Sequence, residues 1–231
     1  MRPEQTLAWM ADGTDRMLAD QAALSEEALA APTALPGWSR RYLLSHVAAN
    51  AEALRNLVLW ARTGEERRMY ASSEQRDDDI AKGSLLPAAE LRAWIESSAL
   101  ALAADLAAMP GQAWDATVIT AQGLNRRASE IPWMRARELY IHAIDLDAGT
   151  QWRDLPADFL AALLDEVTAR RSSLGGGPAL AVAATDTGHR WEVAGAGAAM
   201  PVSAPLADLA AYLTGRPAPE IKAAPALPAW L

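Results

Sequence analysis

No cysteine occurs anywhere in the 231 residues. The absence excludes disulfides, thiolate metal ligands and a cysteine nucleophile, so a metal site has to be built from histidine and carboxylate, and sulfur chemistry needs a thiol supplied from outside. Histidine is nearly as scarce, with His46, His142 and His189 the only three. Basic residues number 21 against 29 acidic ones, only two of the 21 are lysine, and the formal net charge is −8. A phosphate-binding surface needs clustered Lys and Arg, so nucleic acid is not an expected partner. No apolar run approaches the roughly 20 residues that span a bilayer. Met1 to Gln5 opens into an amphipathic pattern and not a signal peptide, so a cytoplasmic location without a membrane partner is expected. What the chain has in plenty is apolar surface: 51% hydrophobic residues suffice for one large packed domain or two small ones.

The stretch from Pro132 to Gly149 carries the sharpest chemical pattern. Pro132 suits the first turn of a helix and Gly149 a terminator, which puts Glu138 and His142 on one helical face at i and i+4. Their Cβ atoms then lie about 5–6 Å apart, near enough for a carboxylate and an imidazole to share one metal ion. An exposed Glu–His helix pair has the same spacing, so a third ligand decides between the readings. His46 is the candidate: Ser39 can cap a helix whose apolar positions Leu43, Val47, Leu54 and Leu57 set an inward face, and His46 sits close to that face. His189 follows Asp186-Thr187-Gly188, a turn between two apolar runs, and reads as an exposed loop histidine. Asp145, one turn beyond His142, is either an acceptor that orients the imidazole or a surface carboxylate at a helix end.

Along the chain, residues 4–30 carry Leu7, Met10, Thr14, Met17, Leu18 and Leu24 at helical spacing and read as one long helix ending before Ala31-Pro32. After the tight link Leu35-Pro36-Gly37-Trp38, a second helix runs from about Ser39 to Thr63 and stops at Gly64. Residues 65–83, with Glu65-Glu66-Arg67-Arg68 and Arg76-Asp77-Asp78-Asp79, read as a charged, solvated crossover. A third helix starts between Ser84 and Pro87, carries Leu91, Trp94, Ile95, Leu102 and Leu106, and stops at Met109-Pro110-Gly111. Trp114 to Thr120 alternates weakly into Gln122-Gly123, the pattern of a short hairpin or an ordered loop. With the Glu138 helix these make four long helices. They predict an up-down bundle, an architecture that builds metal sites from inward-facing residues of adjacent helices.

The texture changes after Gly149. A helix over Pro156–Ser173, a glycine break, a strand pair at Ala179–Ala184 and Arg190–Ala194, a third strand and a last helix over Pro205–Leu213 follow in order. The expected fold class is therefore α+β, with a metal-binding four-helix bundle over residues 1–150 and a smaller α+β domain over 151–231. The tail Ala223–Leu231 is expected to be extended and pinned by Trp230, and the nine tryptophans are assigned to packing.

With these motifs laid out, the chain resembles the mycothiol-dependent maleylpyruvate isomerases, metal-binding members of the DinB-like bundle superfamily. The resemblance is carried by Gly37-Trp38-Ser39-Arg40, Ser45-His46-Val47-Ala48, Thr63-Gly64-Glu65-Glu66, Met69-Tyr70, and Arg76 with Ile80-Ala81-Lys82-Gly83-Ser84. It continues through Thr120-Ala121-Gln122-Gly123, Ala128-Ser129-Glu130, Trp133-Met134-Arg135-Ala136-Arg137-Glu138, Ile141-His142-Ala143-Ile144-Asp145-Leu146, Gly215-Arg216 and Pro228-Ala229-Trp230-Leu231. It implies a zinc site at His46, Glu138 and His142, mycothiol as the second cofactor, and an active-site arginine at Arg216 contributed by the C-terminal unit. The implied reaction turns maleylpyruvate into fumarylpyruvate: a thiolate adds to the activated C=C bond, the bond rotates while single, and the thiol leaves.

The residues agree with that chemistry. Three protein ligands leave a coordination position open, as in catalytic zinc sites, and zinc lowers the pKa of a bound thiol. Arg76 reads either as a holder of a substrate carboxylate or as a member of a solvated charged run. Arg216 by itself also reads as an exposed arginine ending a helix, where the dipole favours it. The alternative enzyme is a mycothiol S-transferase using the same ligands, and the alternative outside catalysis is a metal-binding regulatory protein. The expected partners are a small dicarboxylate and a low-molecular-weight thiol, with the chain acting as a monomer.

Overall fold

Three serines start helices in the first half of the chain. Ser25, Ser39 and Ser72 have extended backbone, and their side chains accept bonds from the amides of Ala28, Tyr42 and Gln75. The computed structural model describes residues 3–229. Its helices in this half are α1 (Pro3–Ala23), α2 (Glu26–Ala30), α3 (Arg40–Thr63), α4 (Ser73–Ser84) and α5 (Ala88–Ala107). An antiparallel hairpin of β1 (Thr117–Ile119) and β2 (Asn125–Arg127), the first of the two expected alternatives, leads to α6 (Ile131–Leu146). The chain divides into two compact units between Thr150 and Gln151.

Three expectations are corrected. The single helix expected over residues 4–30 is two, because the chain leaves the helical path at Leu24 and the Ser25 hydroxyl caps a new turn. The crossover expected over 65–83 holds α4, whose run of charges hid a one-sided helix that buries only Ile80 and Gly83. The Ser45 hydroxyl donates to the Ile80 carbonyl at 2.8 Å, and a Cβ on Gly83 would come within 2.3 Å of both Ser45 Oγ and the Trp94 ring. Glycine is therefore what lets α4 approach α3, and truncating fully buried Ile80 to Ala is expected to cost about 2–5 kcal/mol. Third, Gly64 ends α3 in a left-handed turn as foreseen, but α6 ends at Asp147, with φ 52, before Gly149 is reached. A short polar side chain tolerates that conformation better than most.

The bundle consists of α1, α3, α5 and α6. Each of α1 and α3 packs against both α5 and α6. Helices that follow one another in the chain, α1 to α3 and α5 to α6, thus sit across the bundle instead of side by side, unlike the plain up-and-down order. The consequence for the site is that α3 and α6 share a seam. Buried Arg135 of α6 crosses it, its Nη1 donating to the Val47 carbonyl at 2.8 Å and to Asn50 Oδ1 at 2.9 Å. Those acceptors offset part of the cost of taking a guanidinium out of water.

The second unit is α+β. Helix α7 (Ala157–Leu174) precedes β3 (Pro178–Ala184), β4 (Arg190–Val193), β5 (Ala196–Ala204) and α8 (Leu206–Leu213). The sheet order is β4-β3-β5, with β3 antiparallel to β4 and parallel to β5. Phe159, Leu163 and Val167 of α7, Leu180 and Val182 of β3 and Leu209 and Leu213 of α8 make its buried core. The tail is held through its carbonyls: Arg171 donates to Pro228 O at 3.0 Å, and the Tyr212 hydroxyl donates to Pro225 O at 2.7 Å. Trp230, expected to pin the tail, lies outside the described residues. Among the described residues no helix is long and apolar enough to cross a membrane.

Candidate metal centre

Capping by Ser39 fixes the register of α3 and points His46 into the seam, where α6 presents Glu138 and, one turn on, His142. One oxygen of Glu138, Oε2, lies 3.1 Å from His46 Nε2 and 3.3 Å from His142 Nε2. The ligand atoms of the three residues all lie within 4.8 Å of one another. The imidazole centroids are 5.0 Å apart with their planes at 90°, so both Nε2 atoms converge on the carboxylate without ring overlap. Side-chain exposure is 8% for His46 and 14% for His142 but 22% for Glu138, which leaves the carboxylate as the open side of the group.

The electrostatics follow from this packing. Burial pushes the Glu138 carboxyl upward, but hydrogen bonds from His142 and His46 overcome it and hold the group well below the usual carboxylate range. Burial likewise disfavours a charged His142, yet bonds to Asp145 and Glu138 raise it to about 9. Asp145 Oδ2 sits 3.0 Å from His142 Nδ1 and is buried, so of its two sequence readings the structure supports the acceptor that orients the ring. His46 goes the other way. Burial lowers it, and the Glu138 contacts do not make up the difference.

Arg76, the arginine on α4, is brought to this group. Its Nη2 lies 3.4 Å from His46 Nδ1, its Nη1 pairs with Asp77 at 2.7 Å, and its guanidinium lies over the Tyr70 ring at 5.9 Å. His189 stands apart in an exposed turn, as expected, bonded to Thr187 Oγ1 at 2.9 Å and stacked on Trp191. Arg216 belongs to the second unit, where its Nη1 donates to the Thr214 carbonyl at 2.8 Å just past α8. That bond is the one expected of a basic residue at a helix C-terminus.

Three neighbours were not foreseen. Trp38, read as packing alone, stands edge-on to His46 with centroids 5.3 Å apart and stacks on His142 at 6.3 Å and 25°. Arg135 lies one turn before Glu138 on the same helix and is pushed down to about 10 by burial, and its buried Nη2 has no hydrogen-bond partner among the described residues. The spacing of three from Glu138 was the available signal. Tyr70, half-buried and pushed up by burial, feels Arg76 and Glu138.

Comparison with known proteins accounts for the whole chain. Residues 10–147 match the Mycothiol maleylpyruvate isomerase N-terminal domain, and residues 154–231 match the MDMPI C-terminal domain. The fold is similar to crystal structures of the mycothiol-dependent maleylpyruvate isomerase and of a histidine-to-alanine mutant of it, each at TM-score 0.95 and 35% identity over 100% of this chain and 98% of that one. It also resembles YfiT from Bacillus subtilis, a protein with an unusual four-helix bundle topology, at TM-score 0.54 and 11% identity over 63% of this chain and 83% of that one, a likeness of fold alone. A search of curated proteins finds no match. The two matched domains and the full-length similarity show that the chain belongs to the mycothiol maleylpyruvate isomerase family.

Proposed function

We propose that this chain converts maleylpyruvate to fumarylpyruvate with zinc and mycothiol, and that His46, Glu138 and His142 hold the zinc. The observation that carries the reading is the convergence of three nitrogen and oxygen ligands within 4.8 Å, in a member of this family that has no cysteine. The donor set fits zinc: two imidazoles and one carboxylate, with the far nitrogen of His142 held by a buried carboxylate. Bound there, zinc supplies Lewis acidity that lowers the pKa of a thiol.

The chain's own residues do the rest. Arg76 can donate to His46 Nδ1 only while the ring proton is on Nε2. When Nε2 serves as a metal ligand the proton belongs on Nδ1, two donors face each other, and the guanidinium is better satisfied by an anion. Maleylpyruvate offers two carboxylates. Arg76 would hold one of them, with its place over Tyr70 limiting how far it turns. The family pattern gives Arg216 the matching task of stabilising the enolate oxygen that forms when thiolate adds to the double bond. Trp38, which stands against both ligand rings, covers them from bulk water.

The test is thiol dependence. Dialysed enzyme mixed with maleylpyruvate should produce no fumarylpyruvate absorbance until mycothiol is added, after which the thiol should be recovered unconsumed. Isomerisation without thiol overturns the proposal, and stoichiometric loss of thiol makes the enzyme an S-transferase.

A further inference from the structure

The C-terminal end of α8 is a second place where a buried guanidinium meets backbone. The helix closes in a Schellman turn: the Gly215 amide donates to the Tyr212 carbonyl at 3.0 Å and the Arg216 amide to the Ala211 carbonyl at 2.8 Å, with Gly215 in the left-handed region at φ 76. Two carbonyls beside that turn remain. Leu213 O accepts from Arg171 Nε at 2.9 Å, and Thr214 O accepts from Nη1 of Arg216 itself at 2.8 Å. Leu213 and Thr214 are buried, so a donor lost here is not replaced by bulk water, and an unpaired carbonyl is costly. Arg171 thus completes the set of donors around the turn that carries Arg216.

Arg171 also reaches the tail. Its Nη1 donates to the Pro228 carbonyl at 3.0 Å, and Tyr212 of α8 holds the Pro225 carbonyl at 2.7 Å, so α7, the end of α8 and the tail are joined through one guanidinium and one hydroxyl. Stability alone does not explain an arginine at this position. Arg171 is buried and its Nη2 has no partner among the described residues, and a buried charge left partly unpaired is a weak source of stability. What an apolar side chain could not supply is two donors aimed at two segments at once. We propose that Arg171 is a positioning residue for Arg216: by tying the Leu213 carbonyl to the tail it fixes the turn from which Arg216 extends. The proposal rests on the reading that gives Arg216 the enolate oxygen. When Leu213 O is released the last turn of α8 frays, Thr214 O moves with it, and Arg216 loses the bond that restrains its guanidinium.

The experiment compares zinc-loaded, full-length wild type with Arg171→Met, Arg171→Lys and Tyr212→Phe, by amide hydrogen exchange and by kinetics on maleylpyruvate at saturating mycothiol. In Arg171→Met the Gly215 and Arg216 amides should exchange about tenfold faster or more, while those of Leu180 and Val182 in β3 keep their wild-type rates. Its kcat should fall about tenfold with KM little changed, and adding Arg171→Met to Arg216→Ala should cost nothing further. Arg171→Lys should recover part of both effects. Unchanged exchange at the turn, or a loss of kcat that multiplies with that of Arg216→Ala, overturns the proposal. Tyr212→Phe, which removes one hydroxyl and keeps Arg171, should speed the same two amides several-fold; if Arg171→Met does not fold, unchanged exchange in Tyr212→Phe overturns it. Faster exchange at the turn while Arg171→Met and Arg216→Ala are both fully active supports the positioning and removes Arg216 from the reaction.

Discussion

His46 and His142 meet the same oxygen of Glu138, at 3.1 and 3.3 Å, and differ in what faces their other nitrogen. His142 has Asp145 at 3.0 Å and is raised to about 9, while His46 has Arg76 at 3.4 Å and is lowered by burial. The His142 side is built by one helix, with carboxylate, imidazole and orienting acceptor all on α6. The His46 side is assembled from α3, α4 and the Trp38 turn. A single helix makes a rigid half-site whose geometry does not wait on substrate. An assembled half ties one ligand to an arginine and so links the metal to the group that would hold the substrate.

The comparison breaks most completely when a shared member is removed. Glu138→Ala, His142→Ala and His46→Ala should each reduce bound zinc to background in metal analysis and abolish isomerisation, whereas His189→Ala should keep wild-type metal content. Asp145→Asn is expected to weaken zinc about 10- to 100-fold in competition with a chelator, the usual effect of losing a partner that orients a ligand. Arg76→Ala should leave zinc affinity nearly unchanged, and equal losses in these two variants would erase the proposed difference between the two sides.

Removing either arginine should act on turnover instead. A charge-assisted hydrogen bond is worth about 1.5–3 kcal/mol, so Arg76→Ala and Arg216→Ala should each lower kcat/KM by roughly ten- to a hundred-fold with folding and zinc intact. Lysine should restore only part, because the planar fork is lost. More than half of wild-type kcat/KM in either alanine variant would remove that residue from the account.

The smallest effect is on the stability of chelator-treated protein. His142 has a folded pKa of about 9, above its value in the unfolded chain, so its contribution is complete below about pH 6.5 and is lost as pH rises through 9. Melting temperature should fall by a few degrees across that window, since about 1 kcal/mol corresponds to roughly 2–4 °C in a chain of this size. Asp145→Asn should flatten the fall, and Arg76→Ala should not.

Much of the centre could be read from spacing. Two residues four apart on a helix, one further helix-borne histidine and no cysteine left few other ways to assemble a ligand set. Arg135 escaped because a charged side chain is normally assigned to solvent, although its position one turn before Glu138 placed it on the same face. Helix α4 escaped for a related reason: only Ile80 and Gly83 are buried, too few to print a helical period through its charges. The ring order of the bundle was not legible either, because periodicity says which face of a helix is inward and not which helix it meets. Trp38 illustrates the same limit, since its meaning depends on two histidines that come together only in three dimensions.

The central claim is that metal held by His46, Glu138 and His142 is required for thiol-dependent isomerisation, and reconstitution tests it most directly. Protein stripped with a chelator, returned to buffer with mycothiol and maleylpyruvate, should be inactive, and activity should rise linearly with added zinc to a plateau at one equivalent per chain. Stripped protein that turns over at the wild-type rate, or a plateau that persists unchanged in His142→Ala, would contradict it.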